Sequence, residues 1–489
     1  MAPKPRCACM DKDDMIWEKL DEEVVGWEKA MNKKETYLKI AELLQQYKPG
    51  KPARLHTPQK GGFNTVYRLE YKDGTSIILR VPIPGRVPFP EEKIRYEVAT
   101  MRYVAANTTI PIPHIYRYGT AAENPTGLGP FIIMDYIDHH QIMSRELLDS
   151  SRLDERSILD PNIDEKKLEL MYAQMANILL QLSNLSFPRG GSLVMDKDGS
   201  SPASVGGRPL IANMAHLVVH TNAPVSILPP ARTYDSSNEW YRDLADMHMS
   251  QLALQHNDAV DDEDDARDKY VARQVFRNIT AENRVLPGPS RPPDNEFRMF
   301  SEDLRPANVL LDEDLRVVGV IDWEFAYAAP AQFSYDPPWW LLLREPEEWL
   351  EGNPRLWLKA YEPRLQIFLR ALEGEEKKMM MVTGDPAHGL MNPPLSQRMR
   401  ESWEKQTWMI NYAARNSWAF DFIWWKFLDE SYFGPNDDQD HLVRLQLLSK
   451  PQREMMEPFV ARKMQENTDR RIVKWEPEEA ASCLAEVLV

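Results

Sequence analysis

The stretch MFSEDLRPANVLLDEDLRVVGVIDWEFA, residues 299–326, sets three polar side chains around two short apolar runs. Asp303 and Asn308 are separated by five residues, and Asp322 follows fourteen residues after Asn308. The apolar runs NVLL and VVGVI flank the polar letters DEDL, a pattern that predicts two strands joined by a tight turn. Such a hairpin brings Asn308 and Asp322 to the same end and leaves Asp303 facing a substrate.

This spacing is typical of a site for phosphoryl transfer. That reaction needs the phosphates and a metal ion held in position, and a base beside the attacking hydroxyl group. The protein-kinase pattern D-x-x-x-x-N, followed by a second Asp, meets these needs. It predicts Asp303 as the catalytic base, with an exposed loop acid as the alternative. Asn308 and Asp322 are the predicted Mg²⁺ ligands, since a carboxylate that ends an apolar strand requires a cation.

The first hundred residues contain the remaining parts of such a site in the expected order. The segment GGFNTVY lies between two strand-like runs, where small residues let backbone amides approach phosphate oxygens. Arg80 supplies a cation on a strand, and Glu97 on the next helix is placed to pair with it. A purely structural ion pair is the alternative for these two residues. The predicted nucleotide contacts in the first segment are Gly61, Gly62, Asn64 and Thr65.

Six motifs taken together resemble the aminoglycoside phosphotransferase-like enzymes, a protein-kinase-like family, and particularly its fungal branch. They are GGFNTVYRL, ILRVP, YEVATMRYV, FIIMDYI, DLRPANVLLD and VIDWEFAYAAPAQFSYDPPWWLLL. The resemblance implies an α+β, two-lobed protein-kinase-like fold. Its N-lobe is a small antiparallel β-sheet with one helix, and its C-lobe is larger and mostly helical. The family also implies ATP and Mg²⁺ as cofactors, transfer to a small-molecule hydroxyl, and an adenine-binding hinge at Met134, Asp135 and Tyr136.

Three positions depart from the family pattern. The His that the family places two residues before the catalytic Asp is Ser301 here, and the Gly between them is Glu302. Arg80 replaces the usual Lys, and its planar guanidinium is not equivalent to an ammonium group. These departures keep a second hypothesis open, in which the kinase-like fold is catalytically inactive and serves ligand binding or acts as a scaffold.

Periodicity divides the chain into four predicted parts. Residues 1–50 form a helical extension, and residues 51–137 form the N-lobe in the order strand, strand, helix, strand, strand. Residues 138–450 form the C-lobe, with an insertion at about 189–296. Residues 451–489 are expected to be a surface helix with a frayed tail. Near the start of the C-lobe, one helical stripe predicts a buried face made by Leu168, Met171, Met175, Ile178, Leu179 and Leu182.

Composition argues against several classes of partner. The 489 residues are 43% hydrophobic and 27% charged, which is an ordinary globular mixture. A net charge of −16 argues against nucleic acid and membrane partners, because both require clustered Lys and Arg. Cys7, Cys9 and Cys483 do not form the pattern of a disulfide framework. The N-terminus lacks the apolar segment of a signal peptide, so we expect a cytoplasmic protein.

The phosphoryl acceptor is predicted to be a small molecule rather than a protein. IDWE is followed almost at once by APA, residues 329–331, which leaves little room for the peptide-docking segment of protein kinases. The tryptophan pairs at 339–340 and 424–425 fit packing of the C-lobe, the more common use of such residues. They also fit a frame of ring faces around a cationic acceptor.

Overall fold

A computed structural model describes residues 9–149, 158–196, 201–286, 293–349, 354–383 and 392–489. Within these residues, an antiparallel sheet with flanking helices forms an N-lobe, and a larger, mostly helical C-lobe follows. This arrangement confirms the predicted α+β, two-lobed fold. Cys7 and parts of the predicted insertion lie outside the described residues. The four domain boundaries stay predictions.

The N-lobe is built around one antiparallel sheet. Two helices precede it, α1 (Asp14–Met31) and α2 (Lys34–Tyr47). The strands run in the order β1-β3-β4-β6-β5, with β2 paired to β3. Their bounds are β1 Pro52–Leu55, β2 Gln59–Lys60, β3 Asn64–Tyr71, β4 Ser76–Pro82, β5 Ile115–Gly119 and β6 Phe131–Asp135. Helix α3 (Pro90–Asn107) lies between β4 and β5, so the predicted strands and helix correspond to β3, β4, α3, β5 and β6, and the short strands β1 and β2 that precede them were not predicted.

Both faces of this sheet are covered by helices. Helix α2 buries Ile40 and Leu44 against strand residues that include Leu69 and Ile77. Helix α3 begins with Pro90 in its first turn, a position that needs no backbone N–H donor, and it buries Val98 and other apolar residues on the opposite side. The N-terminal extension therefore supplies a second helix to the sheet, in addition to the one predicted within the N-lobe.

The C-lobe is mostly helical. Helix α5 packs along the longest helix, α10. The predicted stripe on α5 is buried, except that Leu180 takes the fully buried place expected for Leu179. The helices are α4 Met143–Leu147, α5 Glu165–Ser183, α6 Ala212–Thr221, α7 Ser237–Leu254, α8 Glu263–Ala281, α9 Ala331–Ser334, α10 Pro354–Thr383, α11 Leu395–Glu404, α12 Thr407–Ala414, α13 Phe420–Ile423, α14 Asp429–Phe433, α15 Lys450–Thr468 and α16 Pro477–Val487.

Three small sheets carry the loops that face the N-lobe. Their strand orders are β14-β11-β8, β13-β12-β7 and β10-β9. In the β12–β13 hairpin, Val309 is paired with Val320, so the hairpin predicted from the sequence forms. The strand bounds are β7 Gln141–Ile142, β8 Ser186–Phe187, β9 Ser192–Val194, β10 Ser204–Gly207, β11 Phe297–Ser301, β12 Val309–Leu311, β13 Val317–Val320 and β14 Ala326–Pro330.

The C-terminal residues are docked on the C-lobe. Helix α15 packs against α8, and α16 packs against α7. The Val487 side chain is fully buried, and its carbonyl oxygen accepts a hydrogen bond from Gln274 Nε2 at 2.7 Å. The expectation of a frayed tail is therefore wrong, because the apolar side of α16 is covered by the insertion helices.

No helix in the described parts of the chain is both long enough and apolar enough to cross a membrane. The cytoplasmic location stays a prediction. Three of the four paired tryptophans, Trp340, Trp424 and Trp425, are buried in the C-lobe core, as their packing interpretation predicts. Trp339 differs, because it is half-buried and its side chain borders the space between the lobes.

Candidate active site

A cleft of about 750 Å³ lies between the N-lobe sheet and the small sheets of the C-lobe. It is lined by residues of both lobes, including all but two of the site residues predicted from the sequence. The two exceptions are Thr65 and Glu97. The predicted residues that line the cleft are Gly61, Gly62, Asn64, Arg80, Met134, Asp135, Tyr136, Asp303, Asn308 and Asp322.

The two exceptions have separate physical reasons. Thr65 lies in β3, where successive side chains alternate between the two faces of the sheet. Asn64 and Val66 face the cleft, so Thr65 points away from it and is buried. The contact predicted for this segment runs through backbone amides, so the nucleotide contact of Thr65 stays a prediction. Glu97 lies behind Arg80, and its carboxylate contacts the guanidinium from within the N-lobe.

The catalytic loop holds the Asp303 side chain from two directions. Asn308 Nδ2 donates hydrogen bonds to Asp303 Oδ2 at 3.0 Å and to the Asp303 carbonyl oxygen at 2.8 Å. Arg305 Nε lies 2.8 Å from Asp303 Oδ1. Burial raises the pKa of Asp303, while Arg305 and Asn308 oppose that rise by favouring the ionised form. The Asp303 carboxylate is thus held in one orientation. Its pKa reflects burial, which raises it, and the contacts with Arg305 and Asn308, which lower it.

Asp322 occupies the open end of the β12–β13 hairpin. The Ile321 N–H group donates to the Asn308 carbonyl oxygen at 2.9 Å, which brings the backbones of the two predicted metal ligands together. Asp322 itself has a φ of +64°, in the left-handed region. For a residue other than glycine this conformation costs about 1–2 kcal/mol. Strain of this kind is retained where the surrounding structure fixes a side chain for a function.

Arg80 joins three carboxylates at the back of the cleft. Its Nη1 atom lies 2.5 Å from Glu97 Oε1. Its Nη2 atom lies 2.9 Å from Asp322 Oδ1 and 3.0 Å from Glu324 Oε2. The guanidinium is well suited to this role because its several N–H donors lie in one plane. One side chain therefore connects β4, α3 and the segment that follows β13.

A second cation, Lys93, completes this buried cluster. Its ammonium group forms an ion pair with Glu324 and donates to Asn64 Oδ1 at 3.0 Å. Asn64 Nδ2 donates in turn to Glu324 Oε2 at 2.9 Å. Burial acts to raise the pKa of Glu324, but Lys93 and Arg80 outweigh it and lower the pKa. The Asn64 side chain is thus engaged within the protein, which leaves the Gly61–Gly62 turn as the part of the predicted nucleotide loop that is free of side-chain contacts of this cluster.

The charges of this cluster fit a divalent cation. Three carboxylates, Glu97, Asp322 and Glu324, share two cationic side chains, so one negative charge has no partner of its own. Burial, followed by repulsion from Glu324, raises the pKa of Asp322 to about 7 although Arg80 opposes the rise. Carboxylate and amide oxygens are ligands that Mg²⁺ accepts. Asp322 with the neighbouring Asn308 therefore offers the donor types and the charge that Mg²⁺ requires.

The inner end of the cleft fits a flat aromatic group. Apolar side chains from both lobes, including Ile78 of β4 and Leu310 of β12, line the cleft. Met134, Asp135 and Tyr136 close this end at the connection between the lobes. Such apolar walls beside backbone at the domain connection match the needs of an adenine ring. The residues present therefore fit a nucleotide as well as its metal ion.

The outer end of the cleft is formed by the C-lobe and the insertion. Glu345, Trp339, Tyr412 and Asn416 line it from the C-lobe, and His216 of α6 lines it from the insertion. The His216 ring also stacks on Phe63, next to the Gly61–Gly62 turn, with ring centroids 5.8 Å apart. Burial lowers the pKa of His216 to about 3, so its ring is neutral at physiological pH.

A half-buried acid, Glu347, lies directly behind this outer wall. Its carboxylate accepts hydrogen bonds from Tyr412 Oη at 2.9 Å and from Asn416 Nδ2 at 2.8 Å. Burial raises the pKa of Glu347 to about 7. Burial also raises the pKa of Glu345, which faces the cleft. The outer end of the cleft therefore combines aromatic rings with acidic groups.

Sequence reasoning missed five residues that the structure adds to this site. Glu324 and Arg305 each lie two residues after a predicted site residue, Asp322 and Asp303. Their nearness in sequence to these residues is the signal that could have identified them. Lys93 lies one helical turn before Glu97, a spacing that places both side chains on the same face of α3. Glu302 and Arg415 form an ion pair next to Asp303 across 113 residues of sequence, for which no local pattern exists.

The fold and the cleft define a two-lobed, kinase-like protein. The model of the phosphotransferase enzyme family, APH, matches residues 55–368. The chain belongs to this family, as the sequence motifs predict, and the family acts in phosphoryl transfer to small molecules.

Similar proteins occur in fungi and among solved structures. A subtelomeric hrmA-associated cluster protein of Aspergillus fumigatus is 30% identical over 139 residues, which cover 28% of this chain and 24% of the relative. The clavilactone A biosynthesis cluster protein Y of Ampulloclitocybe clavipes is 25% identical, with 57% of this chain and 62% of the relative covered. This chain thus spans less than two thirds of the length of either relative. An ethanolamine kinase of Plasmodium vivax aligns with a TM-score of 0.43 and 11% identity, covering 96% of both chains.

Proposed function

We propose that this protein is an ATP- and Mg²⁺-dependent phosphotransferase that moves the γ-phosphoryl group of ATP to a hydroxyl group of a small molecule. The observation that supports this most is that Asp303, Asn308 and Asp322 line one cleft, around the open end of a single hairpin. Membership of the phosphotransferase enzyme family supports the same reaction class.

In this proposal Asp303 orients the acceptor hydroxyl and takes its proton. Asn308 donates a hydrogen bond to Asp303 Oδ2, and Arg305 lies beside Oδ1 as an ion-pair partner, so lone pairs of the carboxylate stay available to the acceptor. General-base assistance of this kind typically contributes about 10²–10⁴ in rate. Bound Mg-ATP would supply the phosphoryl group and a divalent charge, with Asn308 and Asp322 holding the metal and the Gly61–Gly62 turn covering the phosphates.

The acceptor in this proposal is a small molecule that carries a positive charge. Strand β14 begins only four residues after Asp322, which supports the absence of a long peptide-docking segment at this point of the described chain. Glu345 and the ring of Trp339 line the outer end of the cleft next to the catalytic loop. An acidic group beside an aromatic face favours an amine or a quaternary ammonium group.

One observation favours the second hypothesis, a catalytically inactive ligand-binding protein or scaffold. Arg80 contacts Asp322 directly, at 2.9 Å, and so uses one oxygen of the predicted metal ligand. In an active enzyme, metal binding must compete with this contact or share Asp322 with it. In an inactive protein, the contact would be permanent and would join the two lobes.

An ATP-consumption screen over small hydroxylated amines and sugars tests the proposed reaction. Asp303→Asn serves as the blank because it keeps the shape of the side chain and removes the base. Asp314→Asn is the matched control, since Asp314 is an exposed carboxylate in the turn of the same hairpin. We expect acceptor-dependent ATP consumption in the wild type and in Asp314→Asn, and a loss of at least 10²-fold in Asp303→Asn. Equal consumption by wild type and Asp303→Asn would contradict the role of Asp303.

A thermal-shift titration separates the two hypotheses when no acceptor is known. A ligand that binds the folded state at 100 times its Kd stabilises it by about 2.7 kcal/mol. An Mg²⁺-dependent shift with ATP is expected for the phosphotransferase. A flat response at saturating nucleotide would instead support the inactive scaffold.

A further inference from the structure

Glu302, the residue directly before Asp303, is held by two side chains from distant parts of the C-lobe. Its Oε2 atom accepts a hydrogen bond from Arg415 Nη1 at 2.7 Å. Its Oε1 atom accepts a hydrogen bond from Tyr327 Oη at 3.0 Å. The Glu302 and Arg415 side chains are each only 11% exposed. An ion pair this well covered is screened little by solvent, so its geometry is firmly held.

Arg415 is itself fixed by its surroundings. It follows α12, and its Nε atom donates to the Asn411 carbonyl oxygen at 3.1 Å. Its guanidinium lies 4.7 Å from the ring centroid of Phe300 and 4.8 Å from that of Phe333. Contacts between a guanidinium and aromatic faces at this range are attractive. Arg415 therefore presents a pre-ordered donor to Glu302.

These contacts fix the start of the catalytic loop. The Glu302 N–H group donates to the Phe325 carbonyl oxygen at 3.2 Å, so its backbone is tied to the segment after Asp322. Its side chain is tied to β14 through Tyr327 and to the end of α12 through Arg415. Because Asp303 is the next residue, a shift of the Glu302 backbone also shifts the Asp303 carboxylate.

The neighbouring Ser301 does not supply a comparable contact. It is the last residue of β11, and its short side chain borders a second cavity of about 70 Å³ behind the catalytic loop. The same cavity is bordered by Glu302 and Arg415. A small side chain beside open space cannot brace the loop by packing. The bracing contacts in this region come from the residue one position later.

We propose that the Glu302–Arg415 ion pair is a positioning device that holds Asp303 in its productive orientation. This inference rests on the proposed phosphotransferase function. Arg415 also lines the cleft, so direct contact with a substrate is the rival explanation, and the two differ in their kinetic effects. A positioning residue changes kcat, whereas a substrate ligand changes the KM of the acceptor.

Four variants test the pair: Glu302→Gln, Arg415→Met, their double variant, and Arg415→Lys. We expect kcat to fall by about 10²-fold in each single variant with KM for ATP unchanged, because small displacements of a catalytic group have effects of that size. The double variant should be no worse than either single variant, since both remove the same interaction. Arg415→Lys should restore part of kcat by restoring the charge. Arg398→Met is the matched control, because Arg398 also lies over an aromatic ring, that of Tyr335.

Amide hydrogen exchange of the peptide 299–308 provides a readout that requires no acceptor. We expect faster exchange there in Glu302→Gln and Arg415→Met, with the rest of the C-lobe unchanged, and wild-type exchange in Arg398→Met. Should Arg415→Met fail to fold, the nearly isosteric Glu302→Gln still decides the question. Unchanged kcat and unchanged exchange in Glu302→Gln, or a change confined to the acceptor KM, would overturn the inference. Faster exchange in Glu302→Gln and Arg415→Met, together with a wild type that transfers no phosphoryl group to any acceptor, would support the positioning role and count against the proposed function.

Discussion

Arg80 and Asp322 are joined by a contact of 2.9 Å between Nη2 and Oδ1, across the boundary between the two lobes. The same guanidinium reaches Glu97 on α3 and Glu324 after β13. The N-lobe is thereby attached to the hairpin that carries the proposed metal ligands. A lysine, with one compact charge, matches this arrangement less well than the planar fork of arginine.

Replacement of Arg80 should lower stability strongly. Arg80→Met leaves Glu97 buried without its main cation, and removal of one partner of a buried pair typically costs about 3–5 kcal/mol. Arg80→Lys keeps the charge but cannot serve all three acids, so we expect a smaller loss. Denaturant unfolding measures the free energy of unfolding of both Arg80 variants. Arg117→Met, which breaks an exposed pair with Glu123, is the control and should cost about 0–1 kcal/mol. An Arg80→Met protein as stable as the wild type would show that the cluster contributes little.

The parts of the site that depend on local spacing could be predicted from the sequence. Asn308 and Asp322 flank one hairpin with Asp303 shortly before it, and the pattern of apolar residues in the two strands brings Asn308 and Asp322 to the same end. Arg80 and Glu97 lie in consecutive elements, so the order of strand and helix was enough to pair them. In both cases the relevant contacts are set by a single turn or a single connection.

The remaining contacts depend on tertiary packing. Glu324 meets Asn64 across 260 residues of sequence and Arg80 across 244, and no periodicity connects such positions. The direction of the Thr65 side chain depends on which face of β3 meets the cleft, and no local pattern fixes that face. His216 lies in the predicted insertion, to which sequence reasoning assigned no role, and it lines the cleft in the structure. Long-range partners of this kind are chosen by the fold and not by local propensity.

Asp322→Asn should remove the Mg²⁺-dependent part of nucleotide binding. The substitution removes one of the charges that a divalent cation would neutralise while it keeps the volume of the side chain. It also weakens the contact with Arg80, so the apo protein must be compared at equal temperature below its unfolding transition. Isothermal titration calorimetry with ATP, once in Mg²⁺ and once in EDTA, measures how much Mg²⁺ increases the ATP affinity of the wild type and of Asp322→Asn. Asp314→Asn provides the control, and an unchanged Mg²⁺ dependence in Asp322→Asn would exclude Asp322 as a ligand.

Arg305→Met should shift the pH dependence of catalysis to higher pH. Burial raises the pKa of Asp303, and the nearby Arg305 cation is the main influence that opposes this rise. Without Arg305 the pKa of Asp303 rises further, so a larger fraction of the base is protonated near neutral pH. The acidic limb of the kcat/KM profile therefore moves upward, and activity at pH 6 falls more than activity at pH 9. Arg316→Met, which removes an exposed arginine from the same hairpin, should leave the profile in place.

Glu347 predicts how the stability of the folded protein depends on pH. Burial raises its pKa from the ordinary value of 4.5 to about 7, so the folded state retains a proton that the unfolded state has released between these values. The free energy of unfolding should then fall as the pH rises from about 5 to 7. Glu347→Gln keeps the acceptor oxygen for Tyr412 and removes the titration, so its stability should change less across this range. Urea unfolding at several pH values measures the slope, with Glu348→Gln as the exposed neighbour for comparison. A slope in Glu347→Gln equal to that of the wild type would show that Glu347 does not carry this proton.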